Sequence, residues 1–327
     1  MTLIDSGVGT AGDPLTTPVV LCVYNRPALT QKVLAVLSRV RPRHILVIAD
    51  GPRSEQPRDR EKCDAVINLI RSIDWPTRVE WNVAPNNMGL RSRIQSGLSW
   101  VFSRVQEAII LEDDCVPHPS FFHYCTELLD RYRDDPRIAL ICGTNFKFEV
   151  DSGPASYFYS RYPLIWGWAS WRRTWEQYDP ELRDWPKLRE TSWLADYLGD
   201  PLAAAYWRAV FDHVRAGLNT WDFSLAFSCW RAGALVVQPA QNLVTNIGFG
   251  ADGTFTRAPD AILARMPVHE MHFPLVHPDR VERAVACDDK TEEIAFSSSA
   301  RKQLQRLEAA RQAGAAPRIW KPITRSQ

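Results

Sequence analysis

Three adjacent carboxylates, Glu112, Asp113 and Asp114, follow directly on the apolar run 108–111, with Pro117 and Pro119 just beyond them. A short continuous apolar run reads as a buried strand, and the prolines prevent its simple continuation. Three like charges in a row need a partner. At the C-terminal end of a strand in an α/β sheet, where ligands occupy the crevice above the strand ends, that partner would be a divalent cation with the phosphates it holds. The rival reading is a solvated acidic turn. Three earlier strand-like runs also end in polar residues: 19–23 in Tyr24, Asn25 and Arg26, 45–49 in Asp50 and Gly51, and 78–83 in Asn86, Asn87 and Gly89. In a parallel sheet these ends converge, so residues far apart in sequence become one site. Arg26 and Arg91 suit phosphate charge, Asp50 suits a base or ribose edge, and a metal at Asp114 would bridge phosphates. Asn86, Asn87 and Gly89 also fit a helix N-terminal turn, with Asn capping and Gly relieving strain. Such a turn itself favours anions.

The elements that must position these residues are legible as alternation. Helical patterns at 29–37, 58–72 and 90–105 separate the four strands, and a helix at 120–132 precedes a fifth apolar run at 138–142. Strands and helices in this rhythm give a parallel, doubly wound α/β sheet. No Gly-rich dinucleotide fingerprint follows the first strand and no Walker-type loop is present, which argues against a dehydrogenase and a P-loop enzyme. After Gly143 the rhythm changes: 157–185 is aromatic-rich and irregular, 193–217 helical, and 221–230 a helix leading to a strand at 234–237. Periodicity then weakens until an amphipathic, basic helix at 300–312, which either rests on an anionic membrane or partner or presents a solvated face.

The chain has 327 residues, 45% hydrophobic and 24% charged, with 39 basic against 38 acidic side chains. A net charge of +1 provides no global field for nucleic acid. Seven cysteines, odd in number and without a C-x-x-C pair, read as buried free thiols in a reducing compartment. Residues 1–17 lack the basic start and apolar stretch of a signal peptide, and no window is long and apolar enough to span a bilayer. A cytoplasmic protein is expected, with contact at the inner face of the membrane left open. Thirteen Trp is the compositional oddity. Trp166, Gly167 and Trp168 set flat aromatic faces around a glycine, suited either to the apolar face of a sugar ring or to a core cluster. Trp221 and Asp222 open a helix, where an Asp is commonly electrostatic or capping decoration. His269, His272 and His277 match no strong zinc spacing and read as surface or hydrogen-bonded residues.

Taken in order, Val-Tyr-Asn-Arg-Pro at 23–27, Ala-Asp-Gly at 49–51, Asn-Asn-Met-Gly-Leu at 86–90 and Leu-Glu-Asp-Asp at 111–114 resemble the nucleotide-sugar half of GT-A fold glycosyltransferases. The acidic triplet is similar to that of the inverting N-acetylglucosaminyltransferases of N-glycan synthesis and of bacterial family 2-like enzymes. The resemblance spans 19–256 and implies a metal-dependent inverting transfer from a nucleoside-diphosphate sugar, with UDP favoured, to a hydroxyl of a glycan, lipid-linked or other acceptor. It implies that Arg26 and Asp50 contact the nucleotide, Glu112 the sugar and Asp113 the ribose, and that Asp114 holds Mn2+ or Mg2+. Trp166 to Trp168 would border the donor and acceptor pocket. Trp221-Asp222 followed by Trp230-Arg231 fits the family's general-base segment, so Asp222 is the catalytic candidate. Bacterial relatives often carry a His in the loop where this chain has Phe255, which weakens any metal or phosphate role for 239–256; its glycines would suit a lid. The implied organisation is a lead-in at 1–17, a nucleotide-sugar half at 18–145, an acceptor and catalytic half at 146–257, and an extension at 258–327. A sugar-phosphate nucleotidyltransferase and a non-catalytic carbohydrate-binding protein are the rivals. The first lacks here the Gly-rich basic loop used on a triphosphate, and the second gives no reason for polar residues at four strand ends.

Overall fold

The computed structural model describes residues 14–249, 263–264 and 266–297. Its strands are β1 Val19–Val23, β2 His44–Ala49, β3 Arg78–Val83, β4 Glu107–Glu112, β5 Cys115–Pro117, β6 Ile138–Cys142, β7 Tyr157–Ser160, β8 Trp168–Trp171, β9 Leu235–Pro239 and β10 Val244–Asn246. The helices are α1 Pro27–Val40, α2 Asp59–Arg71, α3 Leu90–Phe102, α4 Ser120–Arg131, α5 Arg172–Trp175, α6 Trp185–Leu188, α7 Trp193–Leu198, α8 Pro201–Arg215, α9 Asp222–Arg231 and α10 Val285–Thr291. Eight strands form one sheet in the order β3-β2-β1-β4-β8-β6-β9-β7. The architecture is the expected α/β class: a central, mostly parallel sheet flanked by helices, with an aromatic-rich second half.

The apolar runs become strands because both faces of the sheet are covered. All five residues of β1 and of β6 are buried, as continuous apolar strands under two helical layers require. One layer's core draws Val33 and Leu37 of α1, Val66 and Ile70 of α2 and Phe121 and Leu128 of α4 onto one face. The other draws Ile94 and Leu98 of α3, Trp207 and Phe211 of α8 and Phe227 and Trp230 of α9 onto the opposite face. β3 is the edge strand and is half-exposed along its length, so its sequence alternates.

The segment 157–185 departs from the irregular structure expected of it. β8 runs antiparallel between β4 and β6, with Ile110 opposite Trp168 and Ala108 opposite Ser170, and β7 closes the far edge against β9. The sheet is therefore mixed rather than wholly parallel. The expected helix at 193–217 is two helices. Gly199 ends α7 in a left-handed conformation, and Asp200 starts α8 by accepting from the Leu202 and Ala203 amides at 2.8 and 3.3 Å. Pro117 does not end strand structure but lies in β5, paired antiparallel with Val244 of β10 in a separate two-stranded ribbon. The 239–256 loop thus contains a strand, while Gly250, Gly253 and Phe255 of the expected lid lie outside the described residues. The same holds for most of the lead-in and for the 300–312 helix. Among the described residues no helix is long and apolar enough to cross a membrane.

Candidate functional site

In the order β3-β2-β1-β4 the chain winds outward in both directions from the β1/β4 junction, and a crevice opens above the C-terminal ends of those two strands. Tyr24, Asn25 and Arg26 leave β1 on one side of it, and Glu112, Asp113 and Asp114 leave β4 on the other. Arg26 spans the gap. One guanidinium nitrogen donates to Asp114 Oδ2 at 2.8 Å and another to Asp113 Oδ1, and the Tyr24 amide adds a 3.3 Å bond to Asp113 Oδ2. Burial opposes the charge on Arg26, but Asp113 and Asp114 outweigh it and push its pKa up. Burial, then the charge of Asp114, pushes Glu112 up to about 8. Burial also pushes Asp113 up to about 6, against the pull of Arg26. Burial is the main cause of both raised values, and the mutual repulsion of three carboxylates around one cation adds to it.

The second half of the chain meets this cluster from two directions. β10 pairs with β5 immediately after the triplet, the Ile247 amide donates to the Asp114 carbonyl at 2.8 Å, and Gly248 lies against the Asp114 carboxylate. A Cβ at Gly248 would collide with Asp114 Oδ2, so the approach requires glycine. From the other side comes the start of α9. Asp222 accepts from the Thr220 hydroxyl, and its charge is among those that raise Glu112. Asp222 and the triplet therefore share one electrostatic environment although 108 residues separate Asp222 from Asp114 in sequence.

Asp50 stands differently from its expected role. Its carboxylate is 8% exposed. Oδ1 accepts from the Gly51 and Met88 amides at 2.9 and 2.8 Å, and Oδ2 from Asn87 Nδ2 and the Gly89 amide at 3.0 and 3.2 Å. A carboxylate has about four acceptor positions, and all are used to fasten the loop that enters α3. Asp50, just past β2, thus fastens the turn that precedes α3, and the first-turn amide of Arg91 is taken by Asn219, while neither Asn86 nor Asn87 caps the helix. Gly51 is required by packing, since a Cβ would strike the Asn86 backbone; Asn86 itself is exposed. Arg91 turns away from the acidic cluster: Nη2 donates to the Pro180 carbonyl at 2.6 Å and pairs with Glu181 at 2.9 Å, while its amide donates to Asn219 Oδ1 at 3.1 Å. That bond ties the start of α3 to the segment leading into Asp222.

Of the aromatic candidates, Trp168 and Trp221 are core. They are 1% and 2% exposed and stack on each other with ring centres 5.7 Å apart. Trp166 is half-buried, flanked edge-on by Phe146 at 5.2 Å and by Phe249 at 5.6 Å. Because Phe249 follows Gly248, this trio lies beside Asp114. The Gly167 carbonyl accepts from the Gly143 amide at 2.6 Å, continuing the β6/β8 ladder.

No family model matches the chain, and no curated protein matches it. Solved structures that share its general course include the inositol-1-phosphate CTP transferase from T. maritima, at 10% identity and a TM-score of 0.38, covering 73% of this chain and 92% of that one. A UDP-glucose pyrophosphorylase complexed with UDP-glucose aligns at 8% identity and TM-score 0.35, covering 68% and 90%. Mouse xyloside xylosyltransferase 1 in its apo form aligns at 11% identity and TM-score 0.34, covering 67% and 84%. Likenesses this loose carry no argument about the site, which rests on its own geometry.

Two site-building residues escape the sequence. Arg93, on α3, is 4% exposed and donates to the Ala49 carbonyl at 3.1 Å and to Asn82 Oδ1 at 2.7 Å, holding the ends of β2 and β3 together. Asp59, at the start of α2, is equally buried and gathers Tyr24, Asn25 and Arg53. Both belong to charged helical stretches whose signal is that of a solvated face. Among the described residues no three His, Cys, Asp or Glu side chains are arranged to cage a metal ion. His269 and His272 are exposed, and His277 bonds the Tyr157 hydroxyl at 2.9 Å.

Proposed function

We propose that this chain is a glycosyltransferase of the GT-A type that transfers a sugar, with inversion, from a nucleoside-diphosphate sugar to an acceptor hydroxyl. The observation that carries the reading is the β1/β4 crevice, in which Arg26 faces Asp113 and Asp114 while the charge of Asp222 reaches Glu112. Such a crevice has carboxylates that would hold a metal ion to grip a diphosphate, with Arg26 fixed beside them, and, opposite, a carboxylate able to take a proton.

The charge deficit of the triplet and its all-oxygen donors fit a hard divalent cation. Asp114 would hold it, and without a protein cage Mg2+ or Mn2+ would complete its shell with water and phosphate oxygens. When bound, the ion would supply Lewis-acid stabilisation of the departing diphosphate. The remaining work falls to the chain's own residues. Arg26 neutralises phosphate charge, Asp113 turns to the ribose, and Glu112 accepts a hydrogen bond from a sugar hydroxyl. Asp222 takes the proton of the acceptor hydroxyl as its oxygen bonds to the anomeric carbon. The bond from that carbon to the diphosphate breaks, and its electron pair leaves with the nucleoside diphosphate. Trp166, with Phe146 and Phe249, offers the aromatic wall for a sugar ring.

Thermal unfolding with UDP, GDP and CTP, each with and without Mn2+, tests this. Stabilisation by a nucleoside diphosphate only when metal is present is the expected result, since a ligand that binds only the folded chain raises its melting temperature. No response to any nucleotide refutes it. Release of inorganic diphosphate from CTP or UTP with a sugar phosphate would identify a nucleotidyltransferase instead.

A further inference from the structure

Arg26 is both the cation of the crevice and the occupant of its acidic wall. Its two terminal guanidinium nitrogens take Asp113 Oδ1 and Asp114 Oδ2, the latter at 2.8 Å. The other oxygens also have donors: Asp113 Oδ2 accepts from the Tyr24 amide at 3.3 Å and Asp114 Oδ1 from the Cys115 thiol at 3.5 Å. Among the described residues no other cation pairs with the triplet. A hard divalent ion binds carboxylate oxygens directly. Drawing on Asp114, it would share that group with a like charge, and like charges repel strongly where water is scarce. Water is scarce here, since Asp113 is 1% and Asp114 7% exposed.

The fold lets Arg26 turn away from the carboxylates without moving its backbone. Its carbonyl accepts from the Leu29 and Thr30 amides at 3.1 and 3.0 Å and from the Thr30 hydroxyl at 3.0 Å, and Pro27 opens α1 directly after it. The main chain is thereby fixed, while the side chain is 23% exposed and can change rotamer. Once turned, it has lost both counter-charges, which is costly in a site this buried. A diphosphate supplies the replacement, because a guanidinium pairs with phosphate oxygens as it does with carboxylate ones.

Resting on the reading of the crevice as a metal-assisted nucleoside-diphosphate site, we propose that Arg26 is an internal counter-ion that competes with the divalent cation for Asp113 and Asp114 and yields them when a diphosphate takes its guanidinium. The chain without nucleotide thus resists the metal, and metal and diphosphate admit each other through one side chain. That coupling is reciprocal: each ligand strengthens the other by the same factor. Three roles for Arg26 differ in sign for the metal alone. Removing a phosphate clamp leaves metal affinity unchanged, removing a strut that shapes the triplet weakens it, and removing a competitor strengthens it.

Electron paramagnetic resonance of free Mn2+, titrated against the full chain without nucleotide, is the test. Arg26→Gln should bind Mn2+ about tenfold more tightly than the unaltered chain, the scale of one hydrogen bond to a charged group. Adding Asp114→Ala should abolish that gain. Calorimetric titration of UDP in saturating Mn2+ should move the other way, weakened about tenfold in Arg26→Gln because the phosphate has lost its cation. Arg26→Lys, a point charge without the planar fork that bridges two carboxylates, should tighten Mn2+ by a smaller factor and carries the test if the glutamine variant does not fold. Mn2+ affinity unchanged or weakened in these variants, or a gain that survives Asp114→Ala, overturns the inference and leaves the nucleoside-diphosphate site standing. No Mn2+ bound by the unaltered chain or either variant, with or without UDP, overturns the functional reading and the inference together.

Discussion

Replacing Asp50 by Asn separates the two roles open to this residue. Asn has nearly the same shape, but its amide nitrogen cannot accept. Of the four bonds now made to Gly51, Asn87, Met88 and Gly89, two would face a donor instead. A hydrogen bond to a charged group is worth about 1.5–3 kcal/mol. Losing two therefore costs about 3–6 kcal/mol, reduced to roughly 2–4 kcal/mol where the half-exposed loop amides recover water. Against a total stability of about 5–15 kcal/mol this is a large change, equivalent to roughly 3–6 °C in melting temperature at about 1.5 °C per kcal/mol for a chain of 327 residues. Thermal and urea unfolding at neutral pH without ligand read it directly. A melting temperature unchanged within about 1 °C, with nucleotide binding lost, would refute the reasoning. Asp50 would then be a ligand-contacting group, as its sequence context suggests.

Three further outcomes follow from the same geometry. Asp222→Asn should leave donor binding intact and lower transfer by about 10²–10⁴-fold, measured as kcat with saturating donor; full activity removes Asp222 from the mechanism. Gly248→Ala places a methyl where the Asp114 carboxylate stands, so metal-dependent UDP affinity should fall, and an unchanged titration would show that the 247–249 segment does not hold Asp114. Asp59 has its folded pKa depressed, foremost by the hydrogen bonds from Arg53, so it stabilises the protein above its unfolded value of about 4 and loses that contribution as pH falls further. The stability gap between the unaltered chain and Asp59→Asn in urea should thus be widest at neutral pH and close in acid; a gap constant with pH contradicts the assignment.

What the sequence disclosed and what it hid have separate physical causes. β1, β2, β4 and β6 are buried on both faces, so each is a continuous apolar run that can be seen without knowing its neighbours. β8 is equally buried, but its Trp-Ala-Ser-Trp sequence has a polar Ser170 that is satisfied only by the Ala139 carbonyl on another strand, at 2.8 Å. That partner is invisible locally. The acidic triplet was legible because three like charges at a strand end are unusual. Asp59 and Arg93 were not, because a charge on a helix of mixed composition looks solvated until its tertiary partners are known. Asp50 shows the converse: its position at a strand end was readable, while the four donors that occupy it come mainly from a loop nearly forty residues away.

The central claim is that the β1/β4 crevice binds a nucleoside diphosphate through Asp114 and a metal, with Asp222 on the acceptor side. Calorimetric titration of UDP in Mn2+ with the unaltered chain, Asp114→Ala and Asp222→Asn tests it most directly. The account predicts equal binding by the unaltered chain and Asp222→Asn, and loss of the metal-dependent part in Asp114→Ala. Binding by Asp114→Ala equal to that of the unaltered chain, with or without the metal, would contradict it.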